Sequence, residues 1–191
     1  MTVADFIAAL QREASSGGPR SAPPVERWNP PYCGDSFIEI LADGTWRHEG
    51  VRMTRESLVR LFASILRKDA DGATYLITPV EKVSVKVADA PFLAVRADRD
   101  GEGRDQTIAF TTNVGDVAAA GPDHPIRVEQ RDGAPRPYVL VRGRLEARIL
   151  RAPFYELVDW AREEDTPEGP KLGLWSQGAF FPLGPVGAHL Q

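Results

Sequence analysis

Arg52 and Arg151 each stand just ahead of an apolar stripe with helical spacing. The start of a helix attracts anions through its free N–H groups and dipole, and an arginine there adds a planar donor fork. Lys82 supplies a third cation beside Glu81, in the junction Thr78-Pro79-Val80-Glu81-Lys82. The run Thr111-Thr112-Asn113-Val114-Gly115-Asp116 closes a strand with hydroxyls, an amide and a carboxylate. Trp46 and Trp175 offer flat faces on which a base could stack, and Trp175 takes that role here. Arg52, Arg151 and Lys82 would pair with phosphate or carboxylate, and Glu81, Asn113 and Asp116 would meet sugar and base edges. Together the seven residues predict a site for an anionic, base-bearing small ligand. Each also has a plainer role open to it: a capped turn, a solvated ion pair, a core tryptophan, a structural arginine.

Other chemistry finds less support. There is no G-x-x-x-x-G-K-[ST] loop for phosphates, no G-x-S-x-G nucleophile elbow and no H-E-x-x-H. His48, His124 and His189 lack ligand spacing, and the acidic run Asp98–Asp105 lacks the calcium-loop pattern. No metal or cofactor is therefore expected. Cys33 is the single cysteine, and beside Asp35 it reads as an inert thiol. A small hydrolase using Asp116 and His124 is the third choice, behind a binding protein and a protein-interaction module.

The elements that must position these residues follow from periodicity. Residues 2–14 read as a short helix, and 15–31 as a Pro/Gly-rich arm. Phe37–Leu41 and Thr45–His48 flank the hairpin signal Asp43-Gly44. Thr54 is the candidate cap of a helix whose stripe is Leu58, Leu61, Phe62, Ile65 and Leu66, with Arg67 and Lys68 in its last turn. Strands follow at 74–78, 80–87, 92–96, 107–112, 126–129, 138–141 and 145–150. A second helix carries Phe154, Leu157, Val158 and Ala161, and a last hairpin, 173–176 with 179–183, turns at Gln177-Gly178. An offset of 99 residues aligns Leu41 with Leu140, Gly44 with Gly143, Arg52 with Arg151, Leu58 with Leu157 and Val59 with Val158. That alignment predicts a duplicated hairpin–helix–strand unit, hence an α+β fold of two small β-rich halves.

The chain has 191 residues, 42% hydrophobic and 26% charged, with a net charge of −4. That size suffices for a buried core without disulfide or metal staples, and the charge argues against bulk DNA binding through a basic face. No apolar run reaches membrane-spanning length and the start lacks a secretory pattern, so no membrane partner is expected and a cytoplasmic location is.

Seven stretches stand out: Asp43-Gly44-Thr45-Trp46; Leu58–Arg67; Thr78–Val95; Thr112–Asp116 with His124-Pro125; Pro137–Val141; Phe154–Trp160; and Leu174–Pro182. Together they resemble a bacterial family known as domain of unknown function 1285. The resemblance covers roughly 32–183. It implies a duplicated α+β core, divided as an arm at 1–31, a first half at 32–90 and a second half at 91–191 resembling a pleckstrin-homology-like fold. It further implies a nucleotide-like or nucleic-acid-derived ligand at the interface of the halves and a role in signal transduction, with no enzyme activity attached. The alternative is a protein-interaction module that docks a signalling partner and takes no small ligand.

Overall fold

A computed structural model of the chain describes residues 23–185; the helix expected at 2–14 lies outside them. The described residues are mostly β, with two helices and two six-stranded sheets. Contacts divide the chain into one unit comprising 23–89 with the turn 143–145, and a second comprising 90–142 and 146–185.

The first sheet holds β1 (Tyr32–Ile40), β2 (Trp46–His48), β3 (Val51–Arg52), β4 (Leu66–Lys68), β5 (Thr74–Ile77) and β6 (Lys82–Val87), in the order β3-β2-β1-β6-β5-β4. β1 and β6 run parallel at its centre, and the outer pairs are antiparallel. Ile38, Ile40, Trp46, Leu66, Leu76 and Val85 are buried. The opposite face carries Glu39, Arg47 and Lys86, as the two-residue period of a strand requires. Helix α1 (Glu56–Ser64) lies between β3 and β4 in the chain. It starts after Arg55 rather than Thr54, without a side-chain cap, and it ends earlier than the apolar stripe suggests. Arg67 and Lys68 are strand residues, not helix-end cations. Ser64 Oγ donates to the Leu61 carbonyl within the last turn (2.7 Å), and Leu66 then pairs with Leu76 in the sheet. Ladder pairing with full burial of Leu66 overrides helical periodicity here.

The second sheet holds β7 (Phe92–Asp100), β8 (Thr107–Thr112), β9 (Val117–Ala119), β10 (Ile126–Arg131), β11 (Ala134–Arg142) and β12 (Leu145–Ile149), in the order β10-β11-β12-β7-β8-β9. Read from its β9 edge, this is the order of the first sheet: third, second, first, sixth, fifth, fourth. A parallel pair, β7 with β12, again stands at the centre. Helix α2 (Arg151–Trp160) follows β12 and packs on β7, with Pro153 in its first turn where a missing N–H costs nothing. A third sheet, β13 (Arg162–Thr166), β14 (Gly169–Ser176) and β15 (Ala179–Pro185), closes the described chain.

The topology therefore repeats at an offset near 60 residues, β1–β6 against β7–β12, and not at 99. At 99 the helices fall out of step: Arg52 lies in a strand four residues before α1, whereas Arg151 is the first residue of α2. Leu157 is fully buried and Leu58 only half-buried. The 60-residue offset aligns Leu66-Arg67-Lys68-Asp69 with Ile126-Arg127-Val128-Glu129. It also brings Asp71-Gly72-Ala73 within one position of Asp132-Gly133-Ala134.

Candidate functional site

In the first unit Arg67 and Lys82 are committed to the fold. Arg67 is 9% exposed. Its guanidinium donates from Nε to Asp69 Oδ1 (2.6 Å), from Nη2 to Asp69 Oδ2 (3.2 Å), and from Nη1 to the carbonyls of Val25 (2.8 Å) and Trp28 (2.7 Å). It ties the segment ahead of β1 to the sheet. Lys82 Nζ donates to Asp69 (3.1 Å) and lies 4.4 Å from the centre of the Tyr75 ring. The Tyr75 hydroxyl donates to Asp71 (2.7 Å). The Arg67 hydrogen bond comes first among the causes that hold the Asp69 carboxyl below its usual range, with Lys82 adding to it. The bond to Asp71 pushes the Tyr75 phenol up to about 12. An open groove beside this network is lined by the carboxylates Glu26, Asp69 and Asp71 and by the cations Arg27, Arg67, Lys68 and Arg144. Glu81 serves a turn through its backbone, which bonds Thr78. Arg52 is exposed on β3.

In the second unit Asn113 and Asp116 share the β8–β9 turn. Asn113 bridges to Leu93 twice: its N–H donates to the Leu93 carbonyl (2.8 Å), and its Oδ1 accepts from the Leu93 N–H (2.9 Å). Asp116 pairs with Arg142, whose guanidinium also lies 5.0 Å from the Phe92 ring centre. Arg151 donates from Nε to the Tyr155 hydroxyl (2.5 Å), one helical turn on. Trp175 sits at the other end of β8 from Asn113. Its carbonyl accepts from Gln106 Nε2 (2.7 Å), ahead of the strand, whereas Asn113 follows it. Six residues of strand separate the two by roughly 20 Å. The fold brings Asn113 to Asp116 and places Arg151 two strands away, since the preceding Leu150 N–H donates to the Ala94 carbonyl (3.1 Å) next to Leu93; Arg52 on β3 stands three strands from Lys82 on β6, and Trp175 lies at the far end of β8.

Trp175 instead belongs to a more enclosed groove of about 320 Å³ in the second unit. Arg99, Gln106, Trp160 and Arg162 line it with Trp175, and Glu102 is the one carboxylate among its lining residues. The Arg99 guanidinium lies over Trp160 (5.3 Å), and that of Arg104 over Trp175 (4.6 Å). The Trp175 indole N–H donates to Glu164 Oε1 (2.9 Å), while Arg104 holds Glu164 Oε2 (3.3 Å). Arg162 donates to the Ala161 carbonyl (2.9 Å). Neither Arg99 nor Arg162 has a carboxylate partner among the described residues. A guanidinium over an indole still has N–H donors for a carboxylate or phosphate.

Two family models match consecutive stretches of the chain. Residues 23–90 match the N-terminal domain, and 91–183 the C-terminal domain, of the protein of unknown function DUF1285. The chain belongs to the DUF1285 family. A crystal structure of a DUF1285 family protein from Silicibacter pomeroyi DSS-3 is 47% identical, with a TM-score of 0.82 over 93% of this chain and 95% of that one. One from Shewanella baltica OS155 is 30% identical, with a TM-score of 0.52 over 65% of this chain and 91% of that one. A search of curated proteins returned no match. No helix among the described residues of this DUF1285 protein is long and apolar enough to cross a membrane.

Sequence reasoning singled out Trp175 and missed Arg99, Arg162 and Trp160. Arg99 lies in an acidic run that reads as a solvated hairpin tip. Arg162 opens Arg162-Glu163-Glu164-Asp165-Thr166, a charged stretch with little strand propensity that nonetheless forms β13. Trp160 closes the α2 stripe at i+3 from Leu157, a spacing that was available as a signal.

Proposed function

We propose that this DUF1285 protein is a binding or sensing protein for an anionic ligand with a planar ring, and that the groove of its second unit is where the ligand sits. The observation that carries the reading is the pair Arg99 and Arg162, two guanidinium groups without carboxylate partners among the described residues, lining one tryptophan-walled groove. The anion takes the guanidinium N–H donors, and the ring stacks on a guanidinium plane or an indole face, as bases do on proteins. A groove of about 320 Å³ is at the small end of ligand pockets. A phosphorylated mononucleotide suits its chemistry. Two charge-assisted hydrogen bonds contribute about 1.5–3 kcal/mol each, and a stacked ring about 1–3 kcal/mol. Association costs several kcal/mol, which leaves affinity on the order of micromolar to millimolar.

The proposal is binding, with no catalytic step assigned to the groove. We extend the proposal to a pleckstrin-homology-like arrangement of the second half, supported by a β-rich unit with the single helix α2 packed on β7. A signalling role in the cytoplasm is part of the same proposal. The test is calorimetric titration with AMP, ADP and inorganic phosphate at low salt. At least one nucleotide binds, and Arg99→Gln or Arg162→Gln weakens it about tenfold or more. No binding at millimolar nucleotide, or affinity unchanged by both substitutions, overturns the reading.

A further inference from the structure

The β2–β3 hairpin turns through two residues, Glu49 (φ 49°) and Gly50 (φ 79°), both in the left-handed region that such a tight hairpin demands. His48 stands opposite Val51, and Arg47 opposite Arg52. The Met53 N–H donates to the Trp46 carbonyl (2.9 Å), so 46/53 and 48/51 are the hydrogen-bonded positions. Arg47 and Arg52 therefore form the non-hydrogen-bonded pair between them. There Cα atoms approach to about 4.5 Å and side chains lie closest. Two like charges at such a position destabilise the hairpin.

No ion pair among the described residues relieves them. Glu39, next to Arg47 on the same face, is taken by Lys86 (3.3 Å). Asp43, in the turn before β2, feels the charge of Arg52 and accepts from the Thr45 N–H (2.9 Å), but it makes no ion pair with Arg52. Neither arginine has an ion pair among the described residues. The row across the face reads Arg52, Arg47, Glu39, Lys86, two positive charges in excess at one end only. That end is an edge of the sheet among the described residues. β3 is the outermost strand, and by strand alternation the N–H and C=O of Arg52 turn away from β2. On the other face of β3 stands Val51, 71% exposed.

We infer that this edge docks an extended acidic segment of a protein partner, laid along β3 with alternate residues acidic and apolar. The acidic side chains meet the Arg47–Arg52 pair, the apolar ones cover Val51, and the outward backbone groups of Arg52 complete the pairing. Addition of a strand to a sheet edge takes its affinity from the backbone and its specificity from alternate side chains. The intervening Glu39 makes the face a poor match for a uniformly charged polymer. Arginine on an edge also guards against self-association, a role that needs Arg52 but gives Arg47, one strand further in, nothing to do.

The experiment titrates the full chain at low salt with a capped octapeptide of alternating glutamate and valine, and with its lysine–valine counterpart. The glutamate peptide binds and the lysine peptide does not. Arg47→Gln and Arg52→Gln each weaken it at least fivefold, and the double reversal Arg47→Glu/Arg52→Glu exchanges the preference between peptides. Arg99→Gln changes neither result, which separates this site from the groove of the second unit. Three results overturn the inference. The first is no peptide binding at millimolar concentration. The second is full displacement by equimolar inorganic phosphate, which makes the pair a simple anion site. The third is an Arg52→Gln protein that self-associates while binding the peptide as before, which leaves only edge protection.

Discussion

Arg67 stands directly opposite Tyr75 across β4 and β5. Arg127 stands opposite Tyr138 at the matching place across β10 and β11, with its guanidinium 4.3 Å from the ring centre. Each arginine holds the carboxylate two residues on, Asp69 or Glu129, and each reaches a second interaction. One cross-strand unit is used twice, with different outcomes. Arg67 is buried and fastens two backbone carbonyls, whereas Arg127 lies on an exposed face with Glu146 and Glu129.

The two arginines should respond differently to truncation. Arg67→Ala leaves Asp69 without its main partner and two carbonyls unpaired, a loss of roughly 3–5 kcal/mol, as for a broken buried pair. Arg127→Ala, whose side chain is 42% exposed, should cost about 1 kcal/mol or less. Urea titrations of both variants measure the contrast. Equal losses would contradict the assignment of Arg67 as the clamp.

Stability should depend on pH through the same network. The Asp69 pKa is depressed in the fold, so its contribution is complete above the unfolded value near 4 and is lost as pH falls through the lower folded value. Tyr75 is raised to about 12, so its contribution is complete below about 10 and fades as pH rises toward 12. Asp69→Asn should flatten the acid limb of a stability–pH curve, and Tyr75→Phe the alkaline limb. Unaltered limbs would place the titrating groups elsewhere.

Gly173 is a matter of space. A Cβ there would lie 2.5 Å from the Phe181 carbonyl oxygen and 2.5 Å from the Phe180 ring, and the backbone atom cannot step aside. Gly173→Ala should lower stability by about 1–3 kcal/mol through overpacking of β14 on β15, visible as a lower melting temperature. A neutral substitution would mean that the two strands separate more readily than their pairing suggests.

Local signals placed most elements. Asp43-Gly44, Asp132-Gly133 and Gln177-Gly178 all mark observed hairpins, because the glycine in each turn has positive φ. The alternation of Val83, Val85 and Val87 with lysine and serine marks β6. Helical spacing carried the first helix too far, since Ile65 and Leu66 continue the stripe while the ladder with β5 claims them. The repeat was legible as Arg67–Asp69 and Arg127–Glu129 with following Asp-Gly-Ala, but the apolar match at 99 residues is easier to see and joins non-equivalent elements. The groove was largely illegible. Arg99 and Arg162 come from segments more than 60 residues apart whose sequences read as solvent-exposed; Arg162 is Trp160's near neighbour in the chain, but only tertiary packing sets Arg99 beside that tryptophan.

The central claim is that the second unit's groove takes a planar anion. The chain has four tryptophans, each with a reporting indole N–H. Titration of indole-¹⁵N-labelled protein with AMP and ADP, followed by NMR, reads them separately. The account predicts that the Trp160 and Trp175 signals move together with one dissociation constant, while Trp46, buried in the first unit, stays in place. Arg99→Gln and Arg162→Gln should shift the midpoint about tenfold. Movement of Trp28 or Trp46 alone, or no movement of Trp160 and Trp175 at millimolar nucleotide, would contradict it.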